Sequence, residues 1–239
     1  MNPTPSLLPG LANHTYPARF DGTLAMIRSN HPDSARLGVD RERERRVLEA
    51  IRSRPWAPEV LHWSPERLVT RFVPGPHPAS GQHTPLYTLA HYLRQAHDTP
   101  VKEDIPTLDM RDTLRHLMAR AAPLPDTLRQ QVAGLIRTWR PTGRRVLCHH
   151  DWHPGNIVVH RGHWVILDWE YAAVGDPLTD IASAALGFRL GEPGRRRLAR
   201  LMGIANADLE AACTLMQAVN DLWSRVIRTL PVVTSRADA

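Results

Sequence analysis

Lysine is nearly missing from this chain: of 30 basic residues only Lys102 is a lysine, and 29 are arginines. Any role that asks for a cation in the first hundred residues must fall to arginine. Cysteine is scarce as well. Cys148 and Cys213 are too few for a disulfide framework or a cysteine zinc site, and Cys148, set in an apolar run, reads as a small core residue. No run of eighteen apolar residues exists, so no membrane span is expected. The opening MNPTPSLLPG lacks the basic start and apolar stretch of a secretory signal. Repeats at solenoid spacing are absent, which excludes an array fold. A soluble, cytoplasmic protein is the expectation.

What is present fits one large domain or two small lobes: 239 residues with 42% hydrophobic content can bury a real core. The net charge of +6 invites a nucleic-acid partner. The arginines, however, alternate with acids along helices, as in RERERR (41–46), and form no aromatic-laced basic block. A solvated arginine-rich surface is the expected reading, with no nucleic acid and no membrane as partner.

Along the chain, Thr15–Phe20 and Thr23–Arg28 read as strands joined at the turn Asp21-Gly22. A helix is expected over 38–53, capped by Asp40, with Val39, Val47, Leu48 and Ile51 as its apolar stripe and Pro55 beyond its end. Glu59–Trp63 and Arg67–Val73 form two more strands before the breaker Pro74-Gly75-Pro76. The pattern then turns helical at 84–97, 110–121 and 125–139, and again at 177–190, 193–202 and 207–229. Between them lie a strand at 145–148, a loop, and a hairpin of Ile157–His160 and His163–Leu167 across Arg161-Gly162. The expected fold class is α+β, with a small sheet lobe carrying one helix (1–76) and a mostly helical lobe (77–239).

The loop LCHHDWHPGN (147–156) holds three histidines, an aspartate and an asparagine. His149, His150, Asp151 and His153 could serve as metal ligands of a hydrolase, but no second ligand cluster follows, and His62, His77, His83 and His91 are scattered. Asp151 and Asn156, five apart, followed by Asp168 in LDWE, match the layout of a phosphoryl-transfer site: a catalytic-loop aspartate, an asparagine five residues on, and a later metal-binding aspartate. An attacking hydroxyl must lose its proton, which Asp151 can accept. Magnesium takes hard oxygen ligands, which Asn156 and Asp168 supply. His149, grouped with Asp151 at the catalytic centre, is suited to bracing the loop by hydrogen bonds. Asp176 and Asp180 are expected to cap the helix starting near Pro177 and to brace the same loop.

The run HHDWHPGN…ILDWEYAAVGDPLTDIA resembles the aminoglycoside phosphotransferase/choline kinase family, nearest the bacterial thiamine kinase and choline kinase-like branch. The resemblance implies a two-lobed protein kinase-like fold, with ATP and Mg2+ as cofactors. It implies Asp151 as base and Asn156 and Asp168 as metal ligands. Arg28 stands where many kinases place the phosphate-binding lysine, with Glu44 as its ion-pair partner and Glu42 as the rival. Gly10–Asn13 would cover the phosphates, although this loop is short and poor in glycine. The hinge Arg71–Gly75, with Phe72 and Val73, would receive the adenine.

For the acceptor, aromatic faces near the base suit a small cationic alcohol: Trp152, Trp169, Tyr171 and Trp223 are the candidates, with Glu170 at the metal or the substrate. Trp56, Trp63 and Trp139 equally suit a core. No long acidic loop for a polycationic aminoglycoside is present, so thiamine ranks first, choline or ethanolamine second and an amino sugar third. A binding protein on a degenerate kinase scaffold stays open, since the chain lacks the lysine. The oligomeric state is not fixed by the sequence.

Overall fold

The computed structural model describes residues 13–101, 104–121 and 123–229. It opens with an antiparallel hairpin, β1 (Asn13–Phe20) and β2 (Thr23–Asn30), whose turn residues Asp21 and Gly22 have φ of 45° and 76°. Two consecutive left-handed residues match the right-handed strand twist, which is why an Asp-Gly pair sits there. A short 3-10 turn, Ser34–Leu37, ends at Gly38 with φ 83°, and α1 (Arg41–Ile51) follows. Asp40 accepts a 3.0 Å hydrogen bond from the Arg43 backbone N–H, so α1 begins after its cap rather than at 38 as the periodicity suggests. β3 (Val60–Trp63) and β4 (Arg67–Arg71) complete a sheet of order β1-β2-β4-β3.

The chain then runs along the second lobe. Helices α2 (Leu86–His97), α3 (Met110–Arg120) and α4 (Asp126–Thr138) lead to β5 (Val146–Cys148), the loop, and the hairpin β6 (Ile157–His160) and β7 (His163–Ile166). Arg161 and Gly162, with φ of 50° and 80°, turn that hairpin as Asp21 and Gly22 turn the first. A strand the sequence did not reveal, β8 (Ala173–Gly175), pairs antiparallel with β5 and ties the segment after Asp168 to the segment before Asp151. Helices α5 (Pro177–Gly187), α6 (Glu192–Met202) and α7 (Asn206–Ile227) close the lobe. None of the described helices is long and apolar enough to cross a membrane.

Packing divides the molecule differently from the chain. The main hydrophobic cluster joins Val47, Leu48 and Ile51 of α1 to Leu89, Leu114, Leu178 and Leu215 of the helical lobe, whereas Ala25, Ile27 and Val69 of the sheet form a small cluster of their own. Leu68 of β4 joins the main cluster as well, so one face of the sheet and α1 are both bedded in the larger core. The crossing is stitched at 74–77. His160 Nδ1 pairs with the Pro74 carbonyl at 2.8 Å, the Val159 N–H donates to the Pro76 carbonyl at 2.8 Å, and His77 Nδ1 pairs with the Ile157 carbonyl at 2.7 Å. Gly75 belongs here by necessity, because a Cβ would stand 2.2 Å from the Val159 carbonyl oxygen.

Candidate active site

The loop after β5 is hung from one buried carboxylate. Asp180 of α5, fully shielded from solvent, accepts hydrogen bonds from the backbone N–H groups of His149 (2.9 Å) and His150 (2.7 Å), from Trp152 Nε1 (2.9 Å) and from His97 Nε2 (2.9 Å). Those four donors fix the chain on both sides of Asp151. His150 is held with φ at 64°, a left-handed conformation that a non-glycine residue keeps only where its surroundings enforce it. His149 is buried. Its Nδ1 accepts from the Asp151 N–H at 3.2 Å, which leaves Nε2 to donate to the Leu167 carbonyl at 2.8 Å. Burial pushes its pKa down, outweighing the carboxylates nearby. Grouped with Asp151 on sequence grounds, His149 is a buried, neutral residue that ties the Asp151 loop to the segment before Asp168.

Asp151 is gripped by its partner five residues on. Asn156 Nδ2 donates to the Asp151 Oδ2 at 2.9 Å and to its carbonyl at 3.0 Å. His153 Nε2 stands 3.6 Å from the same Oδ2, and its Nδ1 accepts from the Gly155 N–H at 3.0 Å. Burial alone would raise the Asp151 carboxyl; the His153 ring and the Asn156 amide outweigh it and hold it below the usual carboxylate range. Asp151 is therefore ionised at neutral pH, with Oδ1 open.

Asn156 and Asp168 meet because the β6–β7 hairpin returns the chain: the Leu167 N–H donates to the Asn156 carbonyl at 2.7 Å. Asp168 sits next to it with φ 57°, a second left-handed non-glycine residue at the site. Burial raises its carboxyl, Glu44 and Asp151 add to this, and Arg28 offsets it in part. With Nδ2 of Asn156 spent on Asp151, its Oδ1 remains as an acceptor, on the segment that Leu167 ties to Asp168. This pair of hard oxygens, in a centre with excess carboxylate, fits a magnesium-sized divalent cation.

The sheet and α1 bring the cations. Arg28 on β2 donates through NH2 to both Glu44 oxygens at 2.7 and 2.6 Å, through NH1 to Asp168 Oδ1 at 2.8 Å, and through Nε to Asn30 at 3.0 Å. Glu42, the rival partner, is exposed and pairs with Arg45 and Arg46 at 2.7 and 3.1 Å. A second arginine unremarked in the sequence joins the centre. Arg41 reaches Glu44 Oε2 at 3.0 Å, Glu170 Oε2 at 2.8 Å and Asn13 Oδ1 at 2.7 Å, and Asn13 Nδ2 donates to Glu170 at 2.8 Å. Glu170 is buried and pushed up to about 7, first by burial and then by the Asp168 charge, against the pull of Arg28 and Arg41. Gly10 lies outside the described residues. Phe72 and Val73, half-buried, lead from β4 into the crossing, with the Phe72 N–H donating to the Leu24 carbonyl at 3.0 Å.

The aromatic wall is smaller than the sequence suggests. Trp152 and Trp169 are 1% and 0% exposed. The first spends its indole on Asp180, and the second stacks on Trp56 at 5.6 Å and donates to the Ile166 carbonyl at 2.9 Å. Both are core residues, because the two sides of an irregular loop carry no periodicity to tell inside from outside. Tyr171 and Trp223 remain half-buried, and Trp223 Nε1 donates to the Tyr171 hydroxyl at 2.9 Å. Glu170 is committed to Arg41 and Asn13. The histidines of the loop do not converge either. Among the described residues the one close group of potential metal ligands is His97, Cys148 and Asp180, with ligand atoms within 4.8 Å of one another. Its carboxylate already accepts four hydrogen bonds, so it is a brace.

An ionised carboxylate, two hard-oxygen side chains on adjoining segments and a clamped arginine are the parts that a phosphoryl-transfer centre requires. The sequence matches the model of the phosphotransferase enzyme family, APH, over residues 10–223, and the chain belongs to that family. No curated protein matches it in sequence. Among solved structures, it is similar to the choline kinase LicA from Streptococcus pneumoniae, with TM-score 0.78 and 16% identity over 90% of this chain and 81% of that one. It is also similar to a Plasmodium vivax ethanolamine kinase (TM-score 0.69, 16% identity, 91% and 74% covered) and to a type I macrolide 2'-phosphotransferase (TM-score 0.65, 18% identity, 90% and 83% covered). These similarities show the two-lobed kinase-like fold.

Proposed function

We propose that the chain is a cytoplasmic, ATP-dependent small-molecule kinase that phosphorylates the hydroxyl of a small cationic alcohol, thiamine first and choline or ethanolamine next. The observation that carries the reading is the Asp151–Asn156 clasp at 2.9 Å, with Asn156 placed through Leu167 beside Asp168. Asp151 aims the acceptor hydroxyl and takes its proton as the bond to phosphorus forms. Asn156 and Asp168 hold the magnesium, which supplies charge neutralisation at the phosphates. Arg28, anchored by Glu44, presents positive charge to the nucleotide, and the hinge at Phe72 and Val73 receives its base.

The acceptor preference rests on chemistry near the base. Tyr171 and Trp223 offer joined aromatic faces to a quaternary or protonated nitrogen. LicA and the Plasmodium enzyme are named for choline and ethanolamine, which supports a cationic alcohol over an amino sugar. An ADP-release screen over thiamine, choline, ethanolamine, aminoglycosides and amino sugars, with Asp151→Ala as the blank, tests this. Turnover restricted to an uncharged sugar would overturn the acceptor reading. Replacing Trp223 by Leu is expected to raise the KM of the cationic acceptor roughly three- to tenfold with the KM of ATP unchanged.

The metal assignment has its own test. In thermal-shift measurements ADP with magnesium is expected to raise the melting temperature of the native chain, and Asp168→Ala to abolish the magnesium-dependent part. Equal shifts in the two proteins would remove Asp168 from the metal site. Full ADP binding without turnover on any acceptor would leave a binding protein on a kinase scaffold.

A further inference from the structure

Arg28 is nearly saturated. A guanidinium carries five N–H donors, and those of Arg28 already serve Asn30, both oxygens of Glu44 and Asp168. One donor is left for a nucleotide whose phosphates bring several charged oxygens. A lysine at that position would give up fewer donors to its anchor, but the chain's single lysine, Lys102, lies far along the sequence.

Arg41 stands beside it. Both guanidinium groups touch the same atom, Glu44 Oε2, at 2.6 and 3.0 Å, so two like charges are drawn together at the head of α1. Such a pairing is favourable only where more negative charge is gathered around it. That charge comes from Asp168, 2.8 Å from Arg28, and from Glu170, 2.8 Å from Arg41. The remaining partner of Arg41 is neutral: Asn13 Oδ1, at 2.7 Å, on the first described residue after the segment expected to cover the phosphates. Its Nε is buried with no partner among the described residues. Among the described residues Arg41 thus has one uncharged partner, two of its five N–H donors without a partner and a side chain only 12% exposed, beside the anchored Arg28.

We propose that Arg41 is a second nucleotide-binding cation, which gives up Asn13 for a phosphate oxygen and divides with Arg28 the task that one lysine performs elsewhere. The assignment rests on the kinase reading above. It makes RERERR more than a solvated stripe: Arg41 and Glu44, one turn apart, turn inward to Glu170 and Arg28, and Glu42, Arg45 and Arg46 pair with one another on the outer side.

Isothermal titration of ADP, AMP and adenosine in the presence of magnesium tests it. For Arg41→Gln, ADP affinity is expected to fall roughly tenfold or more, the scale of a charge-assisted hydrogen bond, with adenosine affinity within about twofold of the native chain on the same scale. Arg41→Lys is expected to recover part of the loss. Equal losses for ADP and adenosine, or no loss for either, would show Arg41 to be only a neutralising partner of Glu170 and overturn the assignment. If Arg41→Gln fails to fold because Glu170 loses its ion-pair partner, the double variant Arg41→Gln/Glu170→Gln removes the stranded carboxylate and carries the same ADP-to-adenosine comparison. A native chain without affinity for ADP would sink the kinase reading and this assignment with it; a native chain that binds ADP with an unchanged ratio in the variants would sink this assignment alone.

Discussion

Asp151→Asn is expected to lower kcat by roughly a hundred- to ten-thousand-fold, the range of a lost general base, while ADP affinity and melting temperature stay close to those of the native chain. The substitution keeps the side-chain volume and still offers an oxygen to the Asn156 amide, whose 2.9 Å hydrogen bond holds the loop. What disappears is the capacity to take a proton from the acceptor hydroxyl. The same carboxylate sets the acid end of the pH profile. Its pKa is depressed, so Asp151 is in its basic form at every pH above the ordinary carboxylate range, and kcat/KM loses this contribution only as pH falls through the depressed value. Steady-state rates from pH 4 to 9, with ADP titrations on the variant, check both statements. A variant retaining more than about a tenth of native kcat would show that proton transfer is not what Asp151 supplies.

How far the sequence reveals this arrangement depends on the kind of signal each part carries. The two hairpins were legible because a turn with two left-handed residues demands particular chemistry, and Asp21-Gly22 and Arg161-Gly162 answer it. Asp40 was legible as a cap because only a short polar side chain can meet the first N–H groups of α1. The Asp151 and Asn156 spacing was legible since a five-residue loop lets one side chain grip the other. Three features were hidden for distinct reasons. The strand β8 spans three residues, too few for alternation to appear. Trp152 and Trp169 sit in irregular segments where no period separates core from cleft, so an aromatic beside a charge could belong to either. Arg41 and Arg43 belong to a run that reads as solvated charge, yet both are largely shielded, because one side of the first turn of α1 packs inward against Glu44, Glu170 and Gly38 while Glu42 and Arg45 keep the other side in water. Burial of a charge is a tertiary property; composition alone predicts the opposite.

The largest structural effect is expected at Asp180, which touches no reacting atom. Asp180→Ala leaves four buried donors without an acceptor: two backbone N–H groups at His149 and His150, the Trp152 indole and His97 Nε2. An unmet buried donor costs about 1–3 kcal/mol, and four are left at once. Against a total stability of roughly 5–15 kcal/mol, this variant is expected to lose several kcal/mol in chemical denaturation and to lower kcat even under conditions where it stays folded, since both peptide units before Asp151 lose their anchor. The pH dependence separates this from a simple packing defect. Burial would raise the Asp180 carboxyl, but the His97 hydrogen bond and the His150 N–H outweigh it and hold it low. A depressed carboxyl contributes stability that is present above its unfolded pKa of about 3.9 and is lost as pH falls through the folded value. The native chain is therefore expected to lose stability steeply below about pH 4, and Asp180→Ala to lose less over the same interval. Denaturation curves of both proteins at pH 7 and pH 3 decide the matter: a loss under about 1 kcal/mol at pH 7, or parallel acid limbs, would show that the catalytic loop holds its shape without this carboxylate.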